Sequence, residues 1–132
     1  MKIESFTDKI AEQYGANDEK TIVDEGAAFI AEWVNTMQKQ VQTKTPVGVQ
    51  LYGSRYTESI IAVGHIRMVF CKHNDPAHIQ VLVFGNEQTE SSEPYDQLKV
   101  SENSPALMST RFQQEFSKDV FEKYLDIFRE VV

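Results

Sequence analysis

Alternation of apolar and polar residues in the middle of the chain predicts two neighbouring antiparallel strands. They occupy positions 59–72 and 78–84 and flank residues 74–77, whose composition is typical of a hairpin loop. If His73 lies opposite His78, the register of the whole hairpin follows, because side chains alternate between the two faces of a strand. The predicted cross-strand pairs are Lys72 with Ile79, Phe70 with Val81, and Met68 with Val83.

This register divides the side chains of the hairpin between two faces of different chemistry. One face is apolar and must be covered by other parts of the chain; it carries Ile60, Ala62, Ile66, Met68, Phe70, Ile79, Val81 and Val83. The opposite face carries Val63, His65, Arg67, Val69, Cys71, His73, His78, Gln80, Leu82 and Phe84. That second face is too polar for a core and too apolar for an idle surface, which makes it a candidate binding surface.

Helical periodicity marks two long segments. Apolar residues recur at intervals of three and four over 18–42, and Gly26 on this stripe predicts close approach of a sheet or another helix. A second amphipathic helix is predicted over 106–131, where Ser104-Pro105 has the composition of a helix start. A start at Ser109 or Thr110 is the alternative.

A shorter helix is predicted at the N-terminus. Ser5 is a plausible first residue and Gly15 a plausible end, since glycine readily adopts a left-handed conformation. Phe6, Ile10 and Tyr14 would share one side of this helix. Because a helix of this length is marginal in water, we expect it to depend on docking.

The remaining pattern completes an α+β fold. A first strand is predicted around residues 47–52, an exposed polar loop at 85–96, and a short edge strand at 97–101. Gly64, inside the long strand at 59–72, predicts a bulge or a close approach of backbone. We expect a single domain over residues 1–132, in the order α-α-β-β-β-(β)-α, with an antiparallel meander of three or four strands packed on one face by two long amphipathic helices.

Composition and charge restrict the function classes. Twenty acidic and thirteen basic residues give a net charge of −7, and no basic stripe is present, which argues against binding to nucleic acid. The chain contains no apolar run of membrane-spanning length, and its first ten residues lack the apolar run of a signal peptide. With a single cysteine there is no internal disulfide, so a cytoplasmic location is expected.

Cys71, His73 and His78 form the strongest cluster of chemistry-bearing residues. The predicted register places all three on one face, where a thiolate and two imidazoles could bind a metal ion, or where a cysteine and a histidine could act as a nucleophilic pair. The spacing C-x-H-x₄-H matches no strong metal signature, and the third group and oxyanion donors of a nucleophilic site are not visible. The sequence contains no phosphate-loop, dinucleotide-binding, zinc-protease or hydrolase motif, so no cofactor is predicted and no motif indicates catalysis.

Two other features allow for ligand binding. Arg67 can hold a carboxylate of a ligand or partner bidentately, although an ion pair within its own chain is the plainer interpretation. A small-molecule sensor would need a pocket lined by Trp33, Phe70 and Tyr124, but each of these aromatic residues already lies on a stripe expected to face the core.

The leading hypothesis is a non-enzymatic protein that acts by binding another protein, as an adaptor, a regulator or a chaperone-like holder. The partner would be a second copy of the chain or a different protein, bound through Val63, His65, Arg67, Val69, Leu82 and Phe84. The alternatives are a metal- or thiol-dependent enzyme centred on Cys71, His73 and His78, and a small-molecule sensor.

Overall fold

The structure, a computed structural model, describes residues 1–14, 18–42, 47–85 and 93–132. It confirms the α+β class, with helices, strands and a final 3-10 helix in the order α1 (Ile3–Tyr14), α2 (Asp18–Gln42), β1 (Val49–Tyr52), β2 (Glu58–Val63), β3 (Ile66–Asn74), β4 (Ala77–Phe84), β5 (Asp96–Val100), β6 (Leu107–Ser109), β7 (Gln114–Glu115), α3 (Lys118–Leu125) and the 3-10 helix Asp126–Glu130. None of the described helices is long and apolar enough to cross a membrane.

The strands form one antiparallel sheet in which each strand pairs with its neighbours in sequence, from β1 to β7. The predicted meander is therefore present, but the prediction of three or four strands was too low. Strand β5 is not the expected edge strand, because β4 and β6 pair with its two sides. The additional strands lie in two segments, 59–72 and 106–131, for each of which the sequence pattern predicted one continuous element.

A two-residue turn at Gly64-His65 divides the first of these segments. Val63 pairs with Ile66 across the turn, and Gly64 has φ +60°, a conformation that glycine adopts without steric cost. The predicted bulge at Gly64 does not form, whereas the alternative, a close approach of another backbone, is present, because the Gly64 amide donates a hydrogen bond to the Gly48 carbonyl oxygen (2.9 Å). Because of the turn, every side chain of β2 points to the face opposite the predicted one.

That change corrects three residue assignments. Ile61 lies opposite Met68 and faces the core, whereas Ile60 and Ala62, predicted to face the core, lie on the opposite side of the sheet. Val63, predicted on the open face, packs against the core. A strand read one residue out of phase exchanges all its side chains between the two faces, so a single unrecognised turn produced all three errors.

The register predicted for the β3–β4 hairpin is confirmed. His73 pairs with His78, Phe70 with Val81 and Met68 with Val83. The loop is shorter than predicted, because Asn74 and Ala77 belong to the strands and only Asp75-Pro76 lies between them.

Helix α2 lies across one face of the sheet and contributes a continuous stripe of side chains to the core. Val23, Ile30 and Val34 are fully buried against the sheet. The predicted close approach at Gly26 is confirmed, since a methyl group there would overlap the Leu107 side chain. Near its C-terminal half, the Asn35 side chain accepts a hydrogen bond from the Gly53 amide (2.9 Å) and donates one to the Gly53 carbonyl (3.1 Å), which holds the end of β1 against the helix.

The helix predicted over 106–131 is present only in its second half. Leu107–Ser109 and Gln114–Glu115 are strands, and α3 begins at Lys118. Phe112 and Phe116 have the spacing of a helical repeat, but Phe112 lies in the turn after β6 and Phe116 in the segment that leads to α3. Helix α3 then covers the same face of the sheet as α2, because Phe121 contacts both Trp33 of α2 and Phe70 of β3.

A buried carboxylate joins β5, β6 and α3. Asp96 is almost fully buried and accepts hydrogen bonds from the Tyr124 hydroxyl, the Ser109 hydroxyl (2.5 Å), and the backbone amides of Gln97 (2.7 Å) and Arg111 (2.9 Å). Four donors satisfy both carboxylate oxygens, which offsets the cost of burying the charge. Asp96 and Leu98 share the inward face of β5, and sequence reasoning did not foresee the role of the carboxylate.

Replacing this carboxylate should destabilise the fold. In Asp96→Asn, an NH2 group replaces one carboxylate oxygen, so either the two hydroxyl donors or the two backbone amide donors lose their acceptor. We therefore expect the free energy of unfolding to fall by about 2–4 kcal/mol. Urea denaturation measures the change. The matched control is Asp119→Asn, at an exposed position of α3, where a change within about 0.5 kcal/mol is expected. Equal effects of the two substitutions would show that the Asp96 network is not important for stability.

Stability should also fall at alkaline pH through Tyr124. Burial, followed by the hydrogen bond to Asp96 and its charge, raises the pKa of the Tyr124 hydroxyl far above its usual value near 10. The folded chain therefore keeps a proton that the unfolded chain releases, and stability present below pH 10 is lost as the pH rises above it. In Tyr124→Phe we expect the decline measured by urea denaturation to be shallower by up to about 1.4 kcal/mol per pH unit. Equal slopes in the two proteins would contradict this.

Candidate binding surface on the open face of the sheet

One face of the sheet is not covered by any of the three described helices. Tyr52, Ile60, Val69 and Leu82 lie directly opposite one another on this face, one residue from each of the strands β1 to β4. We call these four residues the apolar row. Ile60 and Val69, at its centre, are buried but do not belong to the core cluster beneath the helices, whereas Tyr52, at its end, is exposed.

Polar residues border the apolar row on both sides. One neighbouring row is Gln50, Ala62, Arg67 and Phe84; the other is Glu58, Cys71, Gln80 and Gln97. A further row towards the β3–β4 turn contains His73, His78, Lys99, Met108 and Glu115. An apolar centre with a polar surround is the usual anatomy of a protein interface.

The charges of these rows balance. Arg67 and Lys99 are positive, Glu58 and Glu115 are negative, and two of each sign sum to zero on a chain whose net charge is −7. Arg67 is exposed between Ala62 and Phe84, and no described acidic side chain forms an ion pair with it. The ion pair within the chain, considered above as the plainer interpretation of Arg67, is therefore not formed among the described residues.

Four of the six residues predicted for the interface lie on this face: Arg67, Val69, Leu82 and Phe84. Val63 does not, since it packs against the core. His65 lies in the turn after β2, where its Nε2 is 3.4 Å from Glu130 Oε1. Sequence reasoning missed Tyr52 and Ile60, and recognition of the Gly64 turn would have placed Ile60 correctly.

His73 and His78 are adjacent, as the register predicted, but their geometry does not suit a shared metal ion. The two rings stack with centroids 4.7 Å apart and planes 11° from parallel, and His78 Nδ1 lies 2.6 Å from the Pro76 carbonyl oxygen. Imidazole binds metals through lone pairs in the plane of the ring, and stacked rings do not direct these to one point. No group of three or more His, Cys, Asp or Glu side chains able to hold a metal occurs in the described part of the chain.

The environment of Cys71 favours a neutral thiol. Its Sγ lies 3.6 Å from Glu58 Oε2 and donates a hydrogen bond to it. Burial raises the pKa of the Cys71 thiol, and the hydrogen bond to Glu58 and the charge of that carboxylate raise it further, while Arg67 opposes them. A nucleophilic cysteine needs the opposite shift, so this arrangement does not support a thiol enzyme.

The aromatic residues considered for a ligand pocket contact one another instead. Phe121 packs against Trp33 with centroids 5.1 Å apart, and Phe70 lies 5.9 Å from Phe121 and 6.0 Å from Tyr124. These rings fill the space between α2, α3 and the sheet, which supports a core role for them.

Comparison with known proteins adds no assignment: no family model matches the chain, and neither a curated protein nor a solved structure matches it. The geometry of the open face is therefore the basis for any functional proposal.

Cys71 should react slowly with alkylating reagents at neutral pH, because the reactive form is the thiolate. In Glu58→Gln we expect the rate of iodoacetamide labelling to rise about threefold to tenfold, since the hydrogen bond and the negative charge that raise the thiol pKa are both weakened. Glu115→Gln, which removes an equal charge farther along the same face, is the control and should label like the wild type. Rapid wild-type labelling at pH 7 would contradict this view of the thiol.

Proposed function

We propose that this protein acts by protein–protein interaction, without a catalytic step, and that the open face of its sheet binds a second copy of the same chain. The observation that carries the proposal is the apolar row, four mutually adjacent residues on a face that the described helices leave uncovered. Burying such a row against a partner removes apolar area from water, which is the main driving force for association.

The charge distribution favours a second copy as the occupant. Two chains of net charge −7 repel each other, and the repulsion is least where the facing surfaces carry no net charge. The described rows of the open face meet that condition, with two positive and two negative side chains. A face that contains both signs can also bind a surface of the second copy that carries both signs, because each positive side chain can meet a negative one of the other copy.

Polar groups on this face favour association over aggregation. Gln80 and Gln97 lie opposite each other beside the apolar row, and Arg67 provides a planar group with several hydrogen-bond donors. Such groups make binding depend on register and orientation. A dimer formed in this way would serve the adaptor or regulatory role expected from the sequence, with the helix-covered faces pointing outwards.

Substitution of Phe84 tests the proposal. Phe84 is 51% exposed on the open face, and Phe84→Lys should raise the dimer dissociation constant at least about tenfold, because it places a solvated charge in the interface. Lysine also lowers the net negative charge, so weaker association cannot be attributed to greater overall repulsion. Sedimentation equilibrium over a range of concentrations measures the effect, and Leu82→Lys in the apolar row should act in the same direction.

Phe29→Lys is the matched control for this experiment. Phe29 is 53% exposed on α2, on the other side of the molecule, so the same substitution should leave the dissociation constant unchanged. Circular dichroism and urea denaturation verify that each variant is folded. A wild-type chain that stays monomeric up to its solubility limit, or equal effects at positions 84 and 29, would refute the proposal.

A further inference from the structure

Helix α1 exposes an apolar stripe to solvent. Every residue from Met1 to Glu12 is exposed, including Ile3 (81%), Phe6 (55%) and Ile10 (44%). The helix has 12 residues, a length at which an isolated helix is marginal in water. The stripe therefore lacks the packing that a helix of this length needs.

The polar residues of α1 leave only one side of the helix apolar. Glu4, Asp8 and Glu12 are spaced by four and form an acidic line opposite the stripe, while Lys2 and Lys9 border one edge of it. An acidic line of this kind is repelled by anionic lipid headgroups, which argues against a membrane surface as the partner. A protein surface that is apolar at its centre fits better.

We infer that α1 of one copy lies on the apolar row of the other copy, so that the two chains exchange their N-terminal helices. This inference rests on the proposed function, since it identifies which segment of the second copy occupies the open face. Each copy has one uncovered helix stripe and one uncovered sheet face, and a two-fold symmetric pair satisfies both at once. The exchange would give each sheet a helical layer on both sides.

The dimensions of the two surfaces agree. Ile3, Phe6 and Ile10 are separated by about 4.5 and 6 Å along the helix axis, close to the spacing of about 4.8 Å between neighbouring strands. The helix is about 18 Å long, and the four members of the apolar row span about 14 Å. The charges agree as well, because Lys2 and Lys9 border the stripe and Glu58 borders the row.

Topology favours the other copy over the helix's own sheet. Three residues connect α1 to α2, which lies on the covered face, and the Lys20 side chain donates a hydrogen bond to the Glu12 carbonyl across this connection. To reach its own apolar row, α1 would have to pass around the β3–β4 turn to the far side of the sheet. A second copy can offer its row without that constraint.

Disulfide trapping tests the exchange. Cys71 is the only cysteine and lies in the same row as Glu58, so a cysteine on the lysine edge of the α1 stripe should link to it. Lys9→Cys combined with Cys71→Ser is mixed with wild-type chain and mildly oxidised, and peptide mass spectrometry measures the 9–71 link between chains. Thr7→Cys combined with Cys71→Ser is the control, because position 7 lies on the opposite edge of the stripe. We expect at least about a tenfold higher yield for position 9.

The outcomes separate this inference from the proposed function. A sample that is dimeric by sedimentation but gives no preferential 9–71 link would overturn the helix exchange and leave the sheet-mediated dimer intact. A 9–71 link within one chain, seen when Lys9→Cys is made in the presence of Cys71, would mean that α1 folds onto its own sheet and would also overturn the exchange. A monomeric wild-type chain would overturn both. As a second measurement, Phe6→Gln should raise the dimer dissociation constant about tenfold, whereas Ser5→Gln should leave it unchanged.

Discussion

The carboxylate of Asp96 determines where the last third of the chain lies. Through hydrogen bonds from Ser109, Arg111 and Tyr124, it ties the start of β5 to β6, to the turn that follows β6, and to α3. A charge buried this deeply requires every one of its donors, so alternative positions of α3 would each leave an unsatisfied carboxylate. Because α3 is held on the same side of the sheet as α2, none of the helices in the described part of the chain covers the opposite side.

Placement of α3 therefore explains both the core and the open face. With α2 and α3 on one side, Phe70 contacts Phe121 and Tyr124 and the aromatic core closes. The other side retains the apolar row, which a two-layer α+β domain tolerates only where side chains shield one another or a partner covers them. Ile60 and Val69 are shielded in this way, whereas Tyr52 and Phe84 at the margins remain exposed. The exposed stripe of α1 is the second surface that lacks a cover.

How much of this arrangement the sequence predicts depends on how far apart in the chain the interacting residues lie. Helix α2 and the β3–β4 register were predicted correctly, because a continuous stripe and a short hairpin are local patterns. The face of β2 was predicted wrongly, since Gly64-His65 reads equally well as part of a strand and as a two-residue turn. The role of Asp96 could not be predicted, because two of its partners, Ser109 and Tyr124, are 13 and 28 residues away in the sequence.

The structure also changes the interpretation of the cysteine and histidine cluster on the open face. Composition and register brought Cys71, His73 and His78 to one face correctly, but only the structure reveals what surrounds them. Glu58 comes opposite Cys71 through the corrected phase of β2, and its hydrogen bond and charge add to burial in raising the pKa of the thiol. The stacked imidazoles direct their lone pairs apart. By residue type this cluster resembles a reactive site, but by position it is a polar border beside the apolar row.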